Sequence, residues 1–494
     1  MKTNTLDFDA QALRERILDL AMRGKLVPQD PNDEPASVLL EKIKAEKEEL
    51  VKEKKIKKSK PLPAITDDEK PFNIPDSWEW VRFSELFNIE GGSQPPKSTF
   101  SDTGGKGKIR LFQIRDYGEN PVPVYIPIDK AKKISQIGDI LLARYGASLG
   151  KVFFAEYGAY NVALAKVLFN FKSEDFILKK YLFYYFKSEL YQNFVRSNSR
   201  SAQAGFNKSD LNRLVFPVPP ISEQKRIAAK IAQLFALLRK VESSTQQYAK
   251  LQTLLKSKVL DLAMRGKLVK QDPNDEPASV LLEKIKAEKA ELVKEKKIKK
   301  SKPLPEITDD EKPFDIPDSW EWVRLGDLVS PVEYAMADGP FGSNLKKADY
   351  TNQPEVRIVQ LSNIGENGWK DDNVKYTTFD HLKLIRRSEV FPGNIVIAKM
   401  MPAGRAILIP NKDKKYVLSS DAVKFIPTDL LNKQFLLNAI NSNVYRDQVN
   451  KKLQGTTRPR TSLKKLKNFV LPIPPIQEQK RILSKLSMLK QDLI

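Results

Sequence analysis

Residues 18–82 recur at 260–324 with a constant offset of 242, and only four positions differ: Pro28/Lys270, Glu48/Ala290, Ala64/Glu306 and Asn73/Asp315. A second repeat relates PVPPISEQKRI (217–227) to PIPPIQEQKRI (472–482) at an offset of 255. Self-similarity of this extent restricts the architecture more than any local signal does. The copies are cut unevenly. Segment 477–494 matches 222–239 and segment 1–24 matches 243–266, so the two chain ends together amount to one split copy of the continuous segment 221–266. Two similar halves related by an approximate two-fold axis are expected, as in a C2 dimer written on one chain.

The continuous segment reads as helix. Ile227, Leu234, Val241, Tyr248, Leu255 and Leu262 recur every seven residues, with Ile231, Leu238, Thr245, Gln252 and Val259 offset by four, the spacing of a coiled-coil seam. Leu6, Leu13 and Leu20 continue the seam in the N-terminal copy, and Ile482, Leu486, Leu489 and Leu493 supply it in the C-terminal one. An antiparallel helical pair follows. About 40 helical residues at ~1.5 Å each make a rod of roughly 60 Å. After each AMRGKLV, the QDPNDEP turn precedes a short helix, and KEKKIKKSKPLP reads as a solvated linker, with phosphate contact as the alternative.

Between the repeated parts lie 83–216 and 325–471, each a set of turn-rich strands followed by an amphipathic helix, at 175–197 and 429–451. The chain therefore partitions into 1–82, 83–216, 217–324, 325–471 and 472–494. The expected fold class is α+β, two α+β globules separated by long antiparallel coiled-coil helices in a circularly arranged, pseudo-two-fold tandem duplication. The globules differ where their flanks do not. IRLFQIRDYGEN (109–120) aligns with VRIVQLSNIGENG (356–368) but diverges at Arg115-Asp116 against Ser362-Asn363. GDILLARYGASLGKV (138–152) aligns with GNIVIAKMMPAGRAI (393–407), a strand and a loop tip with a basic residue at Arg144 or Lys399.

Lys and Arg number 84 against 62 Asp and Glu, a formal charge of +22, which calls for a polyanionic partner. No apolar run approaches the roughly 20 residues that span a bilayer, and the N-terminus shows no apolar signal core, so a cytoplasmic location is expected. With no cysteine and a single histidine, His381, thiolate metal sites, a Cys nucleophile and His–His metal pairs are excluded. Catalytic motifs fail one by one. SQPPK (93–97) lacks the acid or amide and the aromatic of a methyltransferase NPPY or DPPY. Gly146 to Val152 is one residue short of a P-loop and ends in Val, leaving a DNA-facing hairpin tip or a plain turn. Asp67-Asp68-Glu69-Lys70 and its copy Asp309-Asp310-Glu311-Lys312 read as solvated charge, and His381 as a surface or capping residue.

The paired PPISEQKRI/PPIQEQKRI helix starts, the WEWVR openings at Trp78 and Trp320, GDILLARYGASLGK and the DGPFGSNLKKADYT opening of the second globule occur here in a specific order, the first two in duplicate. Over essentially its whole length the chain resembles specificity subunits of type I restriction-modification systems. The resemblance implies that each globule is a target-recognition domain reading one half-site of an asymmetric bipartite DNA target, and that the helices set the gap. It implies that the repeated regions dock two copies of a methyltransferase subunit, with restriction and translocase subunits as further partners. S-adenosylmethionine, ATP and Mg²⁺ would belong to those partners, and no cofactor, metal or catalytic residue is expected here. Half-sites on one face of B-DNA lie about one turn apart, roughly 34 Å or ~10 bp, within reach of the rod.

Base reading suits Arg, Lys, Asn, Gln, Ser and Thr at loop tips. The candidates are Lys97, Ser98, Arg115, Asp116, Arg144, Tyr145, Ser148, Lys151, Asn207 and Lys208 in the first domain. In the second they are Asn344, Lys346, Ser362, Asn363, Lys399, Met400, Arg405, Thr457, Arg458 and Arg460. The rival readings are a self-contained DNA-modifying enzyme and a coiled-coil adaptor that binds nucleic acid through charge alone.

Overall fold

The computed structural model describes residues 8–57, 61–172, 174–198, 205–206, 208–298, 300, 302–455 and 457–492. Two compact units divide the chain, Met1–Gln246 and Gln247–Ile494. The N-terminal helix Ala10–Met22 starts at Asp9, whose carboxylate accepts from the Ala12 amide and satisfies one orphan donor of the first turn. It ends at Gly24, φ +66°, with the Lys25 amide donating to the Leu20 carbonyl at 2.8 Å. That closing bond needs a left-handed residue, which glycine adopts without a Cβ penalty. A Cβ would also stand 2.4 Å from Pro75 Cγ; Gly266 against Pro317 repeats both features in the second unit.

Strand Glu79–Arg82 leads into the first globule and pairs antiparallel with Val215–Val218, which leads out; Glu321–Arg324 and Val470–Ile473 do the same in the second. Two small sheets recur in both globules. One runs in the order Phe87–Gly91, Leu164–Phe169, Ile140–Ala143, Val152–Phe154, and its counterpart is Met336–Asp338, Ala422–Phe425, Ile395–Ala398, Ala406–Leu408. The apolar runs ILLA and IVIA are buried at every position, as unbroken apolar strands covered on both faces should be. The other sheet joins Lys108–Phe112 to Gly158–Tyr160 in parallel, as Val356–Val359 joins Tyr416–Leu418.

Where one amphipathic helix was expected per globule, the structure has two, Lys179–Lys187 with Glu189–Asn198 and Lys433–Asn441 with Asn443–Lys451. The breaks fall on Ser188 and Ser442. Both are extended, and both hydroxyls donate to a carbonyl three residues back at 2.6 Å, replacing a helix bond with a local one.

The heptad seam is also modified. In the first unit Ile227, Ile231 and Leu238 are buried while Leu237 and Val241 are exposed; in the second, Tyr248, Leu251 and Leu255 are exposed and burial resumes at Ala263 and Met264. The helix Ile221–Met264 is thus covered where another element of the same unit reaches it. The N-terminal helix runs antiparallel to its first half, with Arg14 on Glu242 at 2.5 Å and, past the end of the N-terminal helix, Gln29 on Glu223 at 2.5 Å. It buries Leu18, Ala21 and Met22 and leaves Leu13 exposed, because this face packs into the globule's core with Phe83, Tyr185 and Phe186. Leu6 and Leu493 lie outside the described residues.

The repeated motifs meet in one junction. The buried indole of Trp78 donates to Glu223 at 2.8 Å, and Gln29 donates to the other carboxylate oxygen. Gln224 accepts from the Leu178 amide, and Arg226 forks onto Asp33. One residue of each repeated string therefore completes another. Arg82, nearly buried, pairs with Glu69 at 2.6 Å and donates to the Pro63 and Ala64 carbonyls. Arg324 and Glu311 repeat this at 2.7 Å, so Glu69 and Glu311 close the linker onto the globule and are not merely solvated charge.

Candidate nucleic-acid interface

Strand Ile140–Ala143 ends in Arg144 and Tyr145, turns through Gly146–Ser148 and returns at Val152. An isolated antiparallel bridge joins Tyr145 to Gly205, and the same bridge joins Met400 to Arg460 in the second unit. Each domain thus holds its hairpin stem against the polar loop that follows its helices. Arg144 donates its amide to Ala163, and Lys399 to Asp421, which ties the stem to the turn ahead of the neighbouring strand. The second domain adds a cleft of about 360 Å³ lined by Pro340, Leu345, Gln360, Ser362, Ser419 and Asp421, among others. Stem, bridge partner and cleft bring together the candidates Ser362, Lys399, Met400 and Arg460. The residues Gly91, Asp338, Ser419 and Asp421 were not anticipated: strand register places the first two, and the turn between strands Tyr416–Leu418 and Ala422–Phe425 holds the others.

Lys97 and Ser98 stand exposed on their own turn, Lys97–Thr99; Arg115, Tyr145, Lys151 and Lys208 are exposed, and Ser148 is half-buried. In the second domain Asn344, Lys346, Ser362, Thr457, Arg458 and Arg460 are exposed, and Met400 is half-buried. Asn207 lies outside the described residues. His381 fixes one of these loops, its Nε2 lying 2.8 Å from the Asn344 carbonyl oxygen.

Four candidates are spent on the protein itself. Asn363 is fully buried: its Oδ1 accepts from the Gln360 amide at 2.9 Å, and its Nδ2 donates to the Lys370 and Asp372 carbonyls. Asp116, its counterpart, has a fully buried side chain and accepts from the Gln113 amide at 2.8 Å. Aspartate and asparagine both offer the acceptor that the turn needs, so the two residues do the same structural work despite their different type. Arg405 pairs with Glu366 at 2.8 Å. Glu366 is held below the usual carboxylate range, first by a hydrogen bond from Arg446 and also by Arg405. Lys399 is paired with Asp338 at 2.7 Å, the two side chains being 15% and 22% exposed. Arg144, by contrast, has no carboxylate partner among the described residues: its guanidinium lies over the Tyr145 ring, 5.0 Å from the centroid, and its buried Nε is unpaired.

Among the described residues no group of three or more Asp, Glu or His side chains is placed to hold a metal ion, and no helix is long and apolar enough to cross a membrane. The family model described as the type I restriction modification DNA specificity domain matches residues 75–252 and again 317–494. The chain belongs to this family. It is a specificity subunit, the DNA-recognising, non-catalytic member of a type I restriction-modification system, in which catalysis belongs to partner subunits. It is similar to the type I restriction enzyme EcoAI specificity subunit of Escherichia coli, 33% identical over 98% of this chain and 89% of that one. The EcoEI specificity subunit of Escherichia coli is 30% identical over 97% and 88%. A solved chain concerned with complex assembly and conformational transition of the type I R-M system superposes at a TM-score of 0.56 with 18% identity, over 86% of this chain and 92% of that chain, and so shares the fold. Both family matches begin at the repeated proline, Pro75 and Pro317.

Proposed function

We propose that this specificity subunit reads an asymmetric bipartite target in the cytoplasm, one half-site per unit, with the helix Ile221–Met264 setting the gap and the two repeated junctions each receiving one methyltransferase subunit. Restriction and translocase subunits join the same complex, and S-adenosylmethionine, ATP and Mg²⁺ serve those partners. One observation carries the reading: equivalent positions hold the same contacts in both junctions, while equivalent loop positions hold different chemistry. Two like surfaces suit two copies of one partner, and two unlike surfaces suit two unlike sequences. DNA contact is assigned to the exposed candidates Lys97, Ser98, Arg115, Tyr145, Lys151, Lys208, Asn344, Lys346, Ser362, Thr457, Arg458 and Arg460, together with Arg144, Ser148 and Met400 at the hairpin stems and tips.

Exchanging residues 83–216 for those of another specificity subunit, then mapping methylated bases in the host genome, tests the reading. One half of the motif changes and the other stays. If neither half changes, the assignment of one domain to each half-site is wrong. A charge-only adaptor gives steep salt dependence with no preference over unrelated duplex, and competition at fixed salt separates the two readings.

A further inference from the structure

The two domains share a frame but distribute positive charge on it differently. Gly91 pairs with Ala165, which also faces Leu142; Asp338 pairs with Val423, which also faces Ile397. Gly91 and Asp338 are therefore equivalent, each one strand away from a stem that continues into Arg144 or Lys399. A Cβ built on Gly91 lies 2.5 Å from Nη1 of Arg144, so the guanidinium occupies the space where the second domain has a carboxylate. Across the bridge the pattern reverses. Gly205 faces Tyr145, whose ring stands 2.6 Å from a Cβ built there, whereas Met400 faces Arg460. Arg460 is exposed, with no side-chain partner among the described residues.

We infer that residues 91 and 338 decide which element of each recognition domain carries the cation to DNA. Gly91 leaves Arg144 on the stem free for the first half-site; Asp338 holds Lys399 and leaves the second half-site to Arg460 on the following loop. This rests on the reading that each domain contacts one half-site. The physical reason is electrostatic. For Lys399 to reach a phosphate it must leave a half-buried carboxylate, which would then face the same polyanion, while Arg144 breaks no ion pair to engage DNA and presents a planar fork suited to guanine or phosphate.

The test uses the specificity subunit assembled with its methyltransferase subunits and a duplex carrying the motif mapped in the host. Arg144→Ala and Gly91→Asp each weaken binding about tenfold or more, and the methylated motif relaxes in its first half only. Arg460→Ala does the same to the second half. Asp338→Asn tightens binding and steepens the dependence on log salt by about one, and adding Lys399→Met to Asp338→Asn abolishes that gain. Gly91→Asp with Arg144→Lys recreates the second domain's ion pair, so equal thermal stability with weakened binding shows that the loss is not misfolding. Unchanged affinity in both Arg144→Ala and Gly91→Asp overturns the inference, as does a gain in Asp338→Asn that survives loss of Lys399. If the domain exchange changes one half-site while these variants are silent, the recognition reading stands and this inference alone fails.

Discussion

The junction of each unit and its variable strands and loops show two outcomes of one duplication. At the junction the main polar contacts map onto their counterparts: Trp78 to Glu223 at 2.8 Å and Trp320 to Glu478 at 2.9 Å, Arg226 to Asp33 at 2.6 Å and Arg481 to Asp275 at 2.5 Å. On the neighbouring strands and loops, equivalent positions carry Gly91 and Asp338, Tyr145 and Met400, Gly205 and Arg460. The junction's polar groups satisfy one another internally, so replacing one strands another, since a buried group without a partner costs about 1–3 kcal/mol. A loop side chain that touches only solvent is free of that constraint. Its chemistry can follow what it meets outside the chain.

The largest effect should come from breaking the junction. Trp78→Ala removes a buried indole and leaves Glu223 without its donor; a loss of about 3–5 kcal/mol is expected in the first unit, and the same from Trp320→Ala in the second. Urea unfolding followed by a probe in each unit checks this. If one variant is silent, the two junctions are not equivalent. Next is the turn that Asn363 holds. Asn363→Ala strands one amide and two carbonyls, and about 2 kcal/mol is expected. Asp116→Asn, which keeps the acceptor for Gln113, should cost less than half of that. A specificity change without a stability change in Asn363→Ala would restore the residue to the reading surface.

Acid should separate two carboxylates within the same junction. Hydrogen bonds from Arg82 hold Glu69 down to about 2, below its ordinary 4.5. Its native value lies below its unfolded one, so its contribution is present above about pH 4.5 and lost as pH falls toward about 2. Burial pushes Glu223 the other way, opposed by Trp78 and Gln29. The folded state then binds that proton more tightly, so its contribution grows on acidification and declines as pH rises through the raised value. Glu69→Gln should flatten the acid limb of the stability curve, and Glu223→Gln should steepen it. Equal slopes in the two variants would mean that the junction does not distinguish them.

Much of this was legible because the repeat brackets itself. Trp78, Glu223, Gln29 and Asp33 all lie in repeated strings, so the pairing of those strings could be expected even though its hydrogen bonds could not. What stayed hidden depends on register and local bonding. Ser188 breaks a helix whose apolar period runs straight through it, because the competing bond is from its own hydroxyl to Tyr185. Leu13 keeps heptad spacing but faces solvent, because the helix turns its other face to the globule. Asp116 against Asn363 looked like a change of reading group because residue type shows divergence and not the shared acceptor. Gly91 and Asp338 sit on short strands remote in sequence from Arg144 and Lys399, and only the pairing through Ala165 and Val423 brings them alongside.

The smallest stability effect belongs to the residues that should matter most for DNA. Arg458 is exposed, and its side chain has no partner among the described residues. Arg405 is similar in type but pairs with Glu366. Replacing Arg458 by alanine should leave thermal stability within about 0.5 kcal/mol. It should weaken DNA binding by the assembled complex and reduce the dependence on log salt by about one, as expected for loss of a single phosphate contact. Arg405→Ala should do the reverse: a stability loss of at most about 1 kcal/mol from a partly exposed pair, with the salt slope kept. The contrast depends on which arginine already has a partner. If Arg405→Ala alone lowers the slope, its pair with Glu366 opens on DNA, and a group now counted with the frame belongs to the reading surface.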